Sequence, residues 1–297
     1  MNKNAKNPRS FGTHDGTFHA DEVTACALLL LFDHIDRDKI VRTRNPSELQ
    51  QCEYVCDVGG AYLPKQKLFD HHQVEYQGPL SSAGMILAYL KEEGSLLKKE
   101  YDFLNHSIIL GVDAHDNGQD VQKVGVCTYS HIISQYNPVH GADKAAFEKA
   151  FFEALAFSKG LLERIWNRYQ YTQSCRQIVA EAMTRPMEYL MFDRNIPWLE
   201  IFFELEGEHH PALFVIMPSD GHWKLRGIPP AYDKRMQVRL PLPQEWAGLS
   251  DEDFKKASGI KGAIFCHKGR FISVWEKRED AIKAVEMILS KRKGEVT

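Results

Sequence analysis

Between residues 10 and 120, short apolar runs of strand length alternate with longer helical stretches, and three of the runs end on a histidine or an aspartate. Ser10-Phe11-Gly12-Thr13 leads into His14, Tyr54-Val55-Cys56 into Asp57, and Lys67-Leu68-Phe69 into Asp70-His71-His72. Residues 39–43 add a further β-branched run. Residues 22–32 are apolar on nearly every face, as a buried helix is, and 82–93 and 101–110 also read as helices. Strands alternating with helices restrict the chain to an α/β layer with a mainly parallel sheet. Ligands of such sheets gather at the carboxyl ends of the strands. His14, Asp57 and Asp70 to His72 all stand at that end, and His19, Asp21 and Asp113 lie close to a helix start or to the end of an apolar run.

From residue 143 to 184 the pattern changes. Phe147, Phe151, Leu155, Leu162, Ile165 and Tyr169 recur at helical spacings, predicting a long helix or helix pair with a break near Gly160. Arg185-Pro186 ends it, since proline cannot continue a helix. Beyond it, 188–191, 199–205 and 212–217 alternate or run apolar, and 263–266 with 270–275 read as a hairpin about Lys268-Gly269. A closing amphipathic helix covers 278–291. The expected organisation is an α/β domain over 1–185, ending in the helical connector, and a smaller α+β domain over 186–297.

A formal net charge of −3 gives no sign of a clamp for long polyanions. Six cysteines without a Cys-x-x-Cys pair suit free thiols in a reducing compartment. Neither a secretory signal nor a run long enough to span a bilayer is evident, so a cytoplasmic protein is expected.

No Gly-x-Ser-x-Gly, phosphate loop or zinc-type cysteine spacing occurs. What remains is a set of His and Asp groups, a donor set suited to Mn²⁺, Mg²⁺ or Fe²⁺. Two such ions about 3.5–4 Å apart stabilise both the attacking and the leaving oxygen of a phosphoester. Asp57, central in the set, is the natural bridge. Singly, Asp21 reads as a helix cap, Asp113 and Asp116 as turn residues, and Asp70 as a carboxylate orienting an imidazole. Together they read as one site.

The chain resembles the DHH phosphoesterase superfamily and, within it, the melanocyte-proliferating-gene protein family of metal-dependent hydrolases. The matching segments are 12–22 around His14, His19 and Asp21, then Val41-Arg42-Thr43-Arg44, Asp57-Val58-Gly59-Gly60 and Phe69-Asp70-His71-His72-Gln73. Further on come Ser81-Ser82-Ala83-Gly84, 112–118 with Asp113, 241–246 and 262–267. The resemblance implies a DHH-type parallel-sheet domain followed by a smaller α+β domain. It also implies a dinuclear centre, usually manganese, and phosphodiester hydrolysis by a metal-bound hydroxide, as in a 3′-to-5′ exonuclease on RNA or short oligonucleotides. Carried over, His14, His19 and Asp57 would hold one ion. Asp21, Asp57, His71 and Asp113 would hold the other, with His72 facing the phosphate. Asp57, Asp70 and His72 are the candidate catalytic groups.

Two departures concern the substrate. A Gly-rich, His-containing motif usual in superfamily nucleases is missing from the second half, and Ser273-Val274-Trp275 replaces a Gly-Gly pair typical of the narrower family. Lys224, Arg226, Lys234, Arg235 and Arg239 lie among His222, Trp223 and Tyr232, a mixture suited to phosphates and bases. From these and the hairpin, Arg226, His267 and Arg270 are the candidate substrate-binding residues. The alternatives are a hydrolase of pyrophosphate or cyclic dinucleotides, and a non-catalytic metal-binding regulator. The oligomeric state is open, a homodimer included.

Overall fold

A computed structural model describes residues 6–119, 123–139 and 142–294. The chain divides into two compact units, Met1–Asn167 and Arg168–Thr297. Its class is mixed α/β with two five-stranded sheets.

In the first unit, strand β1 (Asn7–Thr13) leads to helix α1 (Ala20–Leu31), then β2 (Ile40–Arg42), α2 (Pro46–Leu49) and β3 (Cys52–Cys56). After β4 (Tyr62–Leu63) and β5 (Leu68–Phe69) come α3 (Ser82–Glu92), α4 (Lys98–Leu104), α5 (Leu110–Asp116) and α6 (Tyr129–Ser134). The sheet order is β2-β1-β3-β5-β4, parallel except for the short β4 edge. The chain leaves β1 toward β2 on one side and returns to β3 on the other, so strand order reverses at the β1–β3 pair. Such a reversal opens a crevice at the strand ends. Register does the rest: Gly12 lies opposite Val55, and Cys56 opposite Phe69. His14, Asp57 and Asp70 therefore leave neighbouring strands at one level.

The core on one face of this sheet holds Phe11, Tyr54, Cys56 and Phe69 against α1 and α3. The sequence pattern over 101–110 predicts one helix, and the structure extends it. A π-helical turn, Asn105–Ile109, joins α4 to α5, so Asp113 stands on a helix rather than at the end of an apolar run. Arg42, at the end of β2, is buried with its guanidinium 4.5 Å from the centre of the Phe151 ring and 5.5 Å from that of Phe18. It donates to Gly16 O at 2.7 Å, fixing the loop that carries His14 to His19.

Helix α7 (Lys144–Ser174) runs 31 residues without a break. Gly160 lies inside it, and the interruption falls at Cys175 before α8 (Arg176–Met183). One glycine costs only about 1 kcal/mol in a helix interior, too little to end one whose flanks are packed.

The second unit continues with β6 (Tyr189–Met191), α9 (Trp198–Glu204), β7 (Phe214–Ser219), β8 (His222–Gly227), α10 (Asp251–Ser258), β9 (Ala263–Cys266), β10 (Ile272–Trp275) and α11 (Arg278–Gly294). The sheet order is β6-β7-β8-β10-β9, antiparallel except for β6–β7. The apolar run at 199–205 falls largely in helix α9, which buries Ile201 and Phe202 on one side. Ser273 and Trp275 are core residues. The Trp275 ring lies 4.9 Å from Phe254 and 5.7 Å from Trp246, and its indole N–H donates to Ser273 Oγ at 2.9 Å. The six cysteines are free thiols, all buried except Cys127. Among the described residues no helix is long and apolar enough to cross a membrane.

Candidate metal centre

His14 follows β1 and is buried. Its Nε2 lies 3.1 Å from Asp57 Oδ2 and 3.2 Å from Glu22 Oε1. Asp57 follows β3 in the left-handed region (φ 58°), a conformation aspartate tolerates better than most residues. That turn swings its carboxylate across the strand ends: Oδ1 lies 3.5 Å from His71 Nε2 and 3.4 Å from His72 Nδ1. His71 Nε2 also lies 2.9 Å from Asp116 Oδ2 and 3.8 Å from Asp21 Oδ2.

Three sets of donor atoms result, each gathered within 4.8 Å. They are His14, His19, Glu22 and Asp57; then Asp57, His71 and His72; then Asp21, His71 and Asp116. Asp57 belongs to two of them. Of the residues read from the sequence, His14, His19, Asp21, Asp57, His71 and His72 thus come together. Asp113 stands apart from these sets. Its Oδ1 accepts from Ser81 N at 3.0 Å and Ser81 Oγ at 2.7 Å, while Oδ2 is buried without a hydrogen bond among the described residues.

Asp70 is buried beside the sets and braces them. Gly60 N donates to its Oδ2 at 2.6 Å, and His72 Nδ1 lies 2.8 Å from its Oδ1. Gly60 has φ 66°, so glycine supplies the turn that aims this N–H. With a carboxylate as acceptor, His72 carries its proton on Nδ1 and turns Nε2 outward. Its side chain is 64% exposed and lines the cleft. Asp21 lies in the first turn of α1 yet does not cap it. Its carboxylate accepts instead from Ser82 N at 3.0 Å and Ala83 N at 2.5 Å, capping α3.

Glu22 and Asp116 lie outside the ligand set expected from the sequence, although Asp116 is weighed there as a turn residue. Glu22 sits in the first turn of α1, fully buried, its carboxylate also accepting from His19 N at 3.0 Å. A fully buried glutamate in an apolar helix is itself a signal. Asp116 reads as a turn residue, but the lengthened helix α5 carries it one turn past Asp113 and onto His71.

The electrostatics describe a centre short of positive charge. Burial lowers the proton affinity of His14, but Asp57 and Glu22 outweigh it and raise its pKa to about 10. Burial acts the same way on His71, where Asp116 and Asp57 also raise the value to about 10. Asp57 is held below the usual carboxylate range; His14 and His71 overcome its burial. Asp21 is pushed up, by burial first and then by the carboxylates of Asp57 and Asp116. Asp57 Oδ1 and His71 Nε2 are buried, and neither makes a well-aligned hydrogen bond among the described residues, although Asp116 Oδ2 lies 2.9 Å from His71 Nε2 and His72 Nδ1 3.4 Å from Asp57 Oδ1. Buried polar atoms left unpaired in this way, on imidazole and carboxylate donors, fit a divalent cation.

Gly84 permits the close packing of α3 against α5: a Cβ there would run into both oxygens of Asp113. Gly84→Ala is therefore expected to cost about 1–3 kcal/mol in urea unfolding, as overpacking does. Adding Asp113→Ala should recover part of that loss.

A cleft of about 560 Å³ opens over the centre, lined by His14, His19, Asp57, Asp70 and His72, with Arg44, Val58 and Gly59 at one side. The candidate substrate residues lie in the second unit. Arg226 is on β8, opposite Ile272 and Val215. His267 and Arg270 form the β9–β10 turn, with His267 Nδ1 accepting from Gly269 N at 2.9 Å and its ring 4.4 Å from Phe271. Arg239 faces inward and donates to Gly207 O, His210 O and Ala212 O, so it is a brace rather than a free cation.

Fold and site define a mixed α/β protein with an imidazole–carboxylate centre at the carboxyl ends of a parallel sheet. The chain belongs to the uncharacterised protein family UPF0160 (MYG1_exonuc), whose model matches residues 10–289. It is 53% identical over 285 residues to the MYG1 protein of Chlamydia muridarum, covering 96% of this chain and 98% of that one. Identity to the MYG1 exonuclease of Rattus norvegicus is 34%, covering 97% of this chain and 87% of that one. Among solved structures, RecJ in complex with Mn²⁺ from Thermus thermophilus is similar at 12% identity and a TM-score of 0.26, covering 93% of this chain and 52% of that one. That likeness is too slight to bear on function.

Proposed function

We propose that the chain is a divalent-metal-dependent phosphodiesterase, a 3′-to-5′ exonuclease acting on RNA or short oligonucleotides. The single observation that carries this reading is buried Asp57, whose two oxygens face His14 on one side and His71 and His72 on the other. The exonuclease name of the mammalian relatives supports it.

In this reading His14, His19 and Asp57 hold one ion, with Glu22 beside them. Asp57, Asp21 and His71 hold the second, with Asp116 on His71 and Asp113 behind. When bound, two ions of the Mn²⁺ type supply a water of lowered pKa and positive charge for the phosphate oxygens. The remaining chemistry belongs to the chain. His14 and His71 give up their protons in order to ligate. Asp70 fixes the His72 tautomer and ring, so that Nε2 meets a phosphate oxygen and stabilises its growing charge. Arg226, His267 and Arg270 contact the strand. Six free thiols suit a cytoplasmic setting.

Labelled RNA, pyrophosphate and cyclic dinucleotides assayed with Mn²⁺ test the reading. RNA is expected to shorten from its 3′ end. Faster turnover of pyrophosphate or of a cyclic dinucleotide would make the substrate a small phosphate compound. No cleavage of any of them with Mn²⁺, Mg²⁺ or Co²⁺ would favour a non-catalytic metal-binding protein. Alanine at Arg226, His267 and Arg270 together should raise KM for RNA about tenfold or more, on the scale of several lost phosphate contacts. Unchanged KM and kcat would remove those residues from the substrate site.

A further inference from the structure

The parallel sheet of the first unit packs only one face into its main core. Val55 and Leu68, paired across β3 and β5, point to the other face. Among the described residues, only a small cluster around Leu49, Cys52 and Val55 lies there, beneath α2, a helix of four residues. Parallel sheets ordinarily bury both faces. Here a hollow of about 580 Å³ opens instead, a size that suits a small organic ligand.

Two features say what kind of ligand. The hollow shares Arg44, Val58 and Gly59 with the metal cleft, so a molecule lying in both passes Arg44 and the residue next to Asp57. Its wall is apolar below and amide or cationic at the rim, and no acid lines it. The side-chain amides of Gln50 and Gln66 make no hydrogen bond among the described residues. Arg44 keeps 67% of its side chain exposed, and its Nε lies 3.8 Å from Asp15 Oδ1, a contact loose enough to yield to a phosphate.

We propose that this hollow receives the nucleobase adjoining the scissile phosphate. Leu49, Val55 and Leu68 meet its flat face, Gln50 and Gln66 its polar edge, and Arg44 the phosphate between base and cleft. The proposal rests on the phosphodiesterase reading above. A glutamine amide carries both a donor and an acceptor, so it can meet any of the four bases. The site therefore requires a base without choosing strongly among bases.

The test compares short RNAs that carry or lack the base at the terminal nucleotide, using the full chain with Mn²⁺. The abasic substrate is expected to show a KM about tenfold higher, the scale of one stacked base. Equal KM values would overturn the proposal. Polarisation binding of a cleavage-resistant phosphorothioate pair, with and without the base, gives a readout independent of turnover. Gln66→Trp, which fills the hollow from its exposed rim, should raise the Kd of the base-bearing strand to that of the abasic one. The exposed pair Gln50→Ala and Gln66→Ala should move it part of the way, with little risk to folding. Base-dependent binding without cleavage would keep the subsite and remove the phosphodiesterase reading. Base-independent binding, or a dimer of the chain that Gln66→Trp dissociates, would overturn the subsite whatever the activity.

Discussion

Replacing Asp57 by alanine or asparagine is expected to abolish metal-dependent hydrolysis, lowering kcat by roughly 10³-fold or more, the loss that follows removal of a central electrostatic group. Among the described residues, Asp57 is the one carboxylate that belongs to donor sets on both sides of the centre. Its removal deprives both at once. Asparagine is the more informative variant. It tolerates the left-handed backbone at φ 58° and keeps the side-chain shape, so folding should be unchanged while the charge is lost. Metal content should fall together with activity, read by elemental analysis of dialysed protein. Replacing Glu22 by glutamine tests one side only: its loss of activity and metal should be smaller than that of Asp57→Asn. Full activity in Asp57→Asn with undiminished metal would remove the dinuclear account.

The second large effect lies in the other unit. Trp275→Ala should cost about 3–5 kcal/mol in urea unfolding, the range for emptying a buried aromatic site. Trp275 is fully buried against Phe254 and Trp246, and its N–H is satisfied by Ser273. Ser273→Ala should cost less, about 1–3 kcal/mol, because it strands the indole donor without opening a large cavity. A loss below about 1 kcal/mol for Trp275→Ala would mean that the second core closes without it. In the resemblance read from the sequence, a Gly-Gly pair is expected where these residues stand. Here β10 is built from side chains that fill a core, which gives the departure a packing role.

Much of the first unit could be read from its residues, because strand length, apolar character and Asp/His endings coincide at β1, β3 and β5. The convergence of His14, Asp57 and His71 follows from parallel pairing in register, which alternation implies but does not locate. Glu22 escaped notice because it hides in a helix that reads as uniformly apolar. Asp116 stayed outside the ligand set because the π-turn at Asn105–Ile109 carries the helix further than its apolar pattern suggests. The second unit was less legible. A short apolar run suits a buried strand or a buried helix equally, and at 199–205 the helix prevailed. Arg239 stands in the sequence among cations and aromatics suited to phosphates and bases, yet it holds four carbonyls, which only the folded chain brings together. Strand β8 carries Lys224 and Arg226 on one face, so their charge masked the strand.

The most direct test of the metal-centred reading is a product-resolved digestion of short 5′-labelled RNA. It should be run on protein stripped with EDTA and then reloaded with Mn²⁺. The account predicts no cleavage by the stripped protein, and stepwise release of nucleotides from the 3′ end once about two ions per chain are restored. Cleavage that persists in EDTA, or an intact RNA at full metal loading, would contradict it.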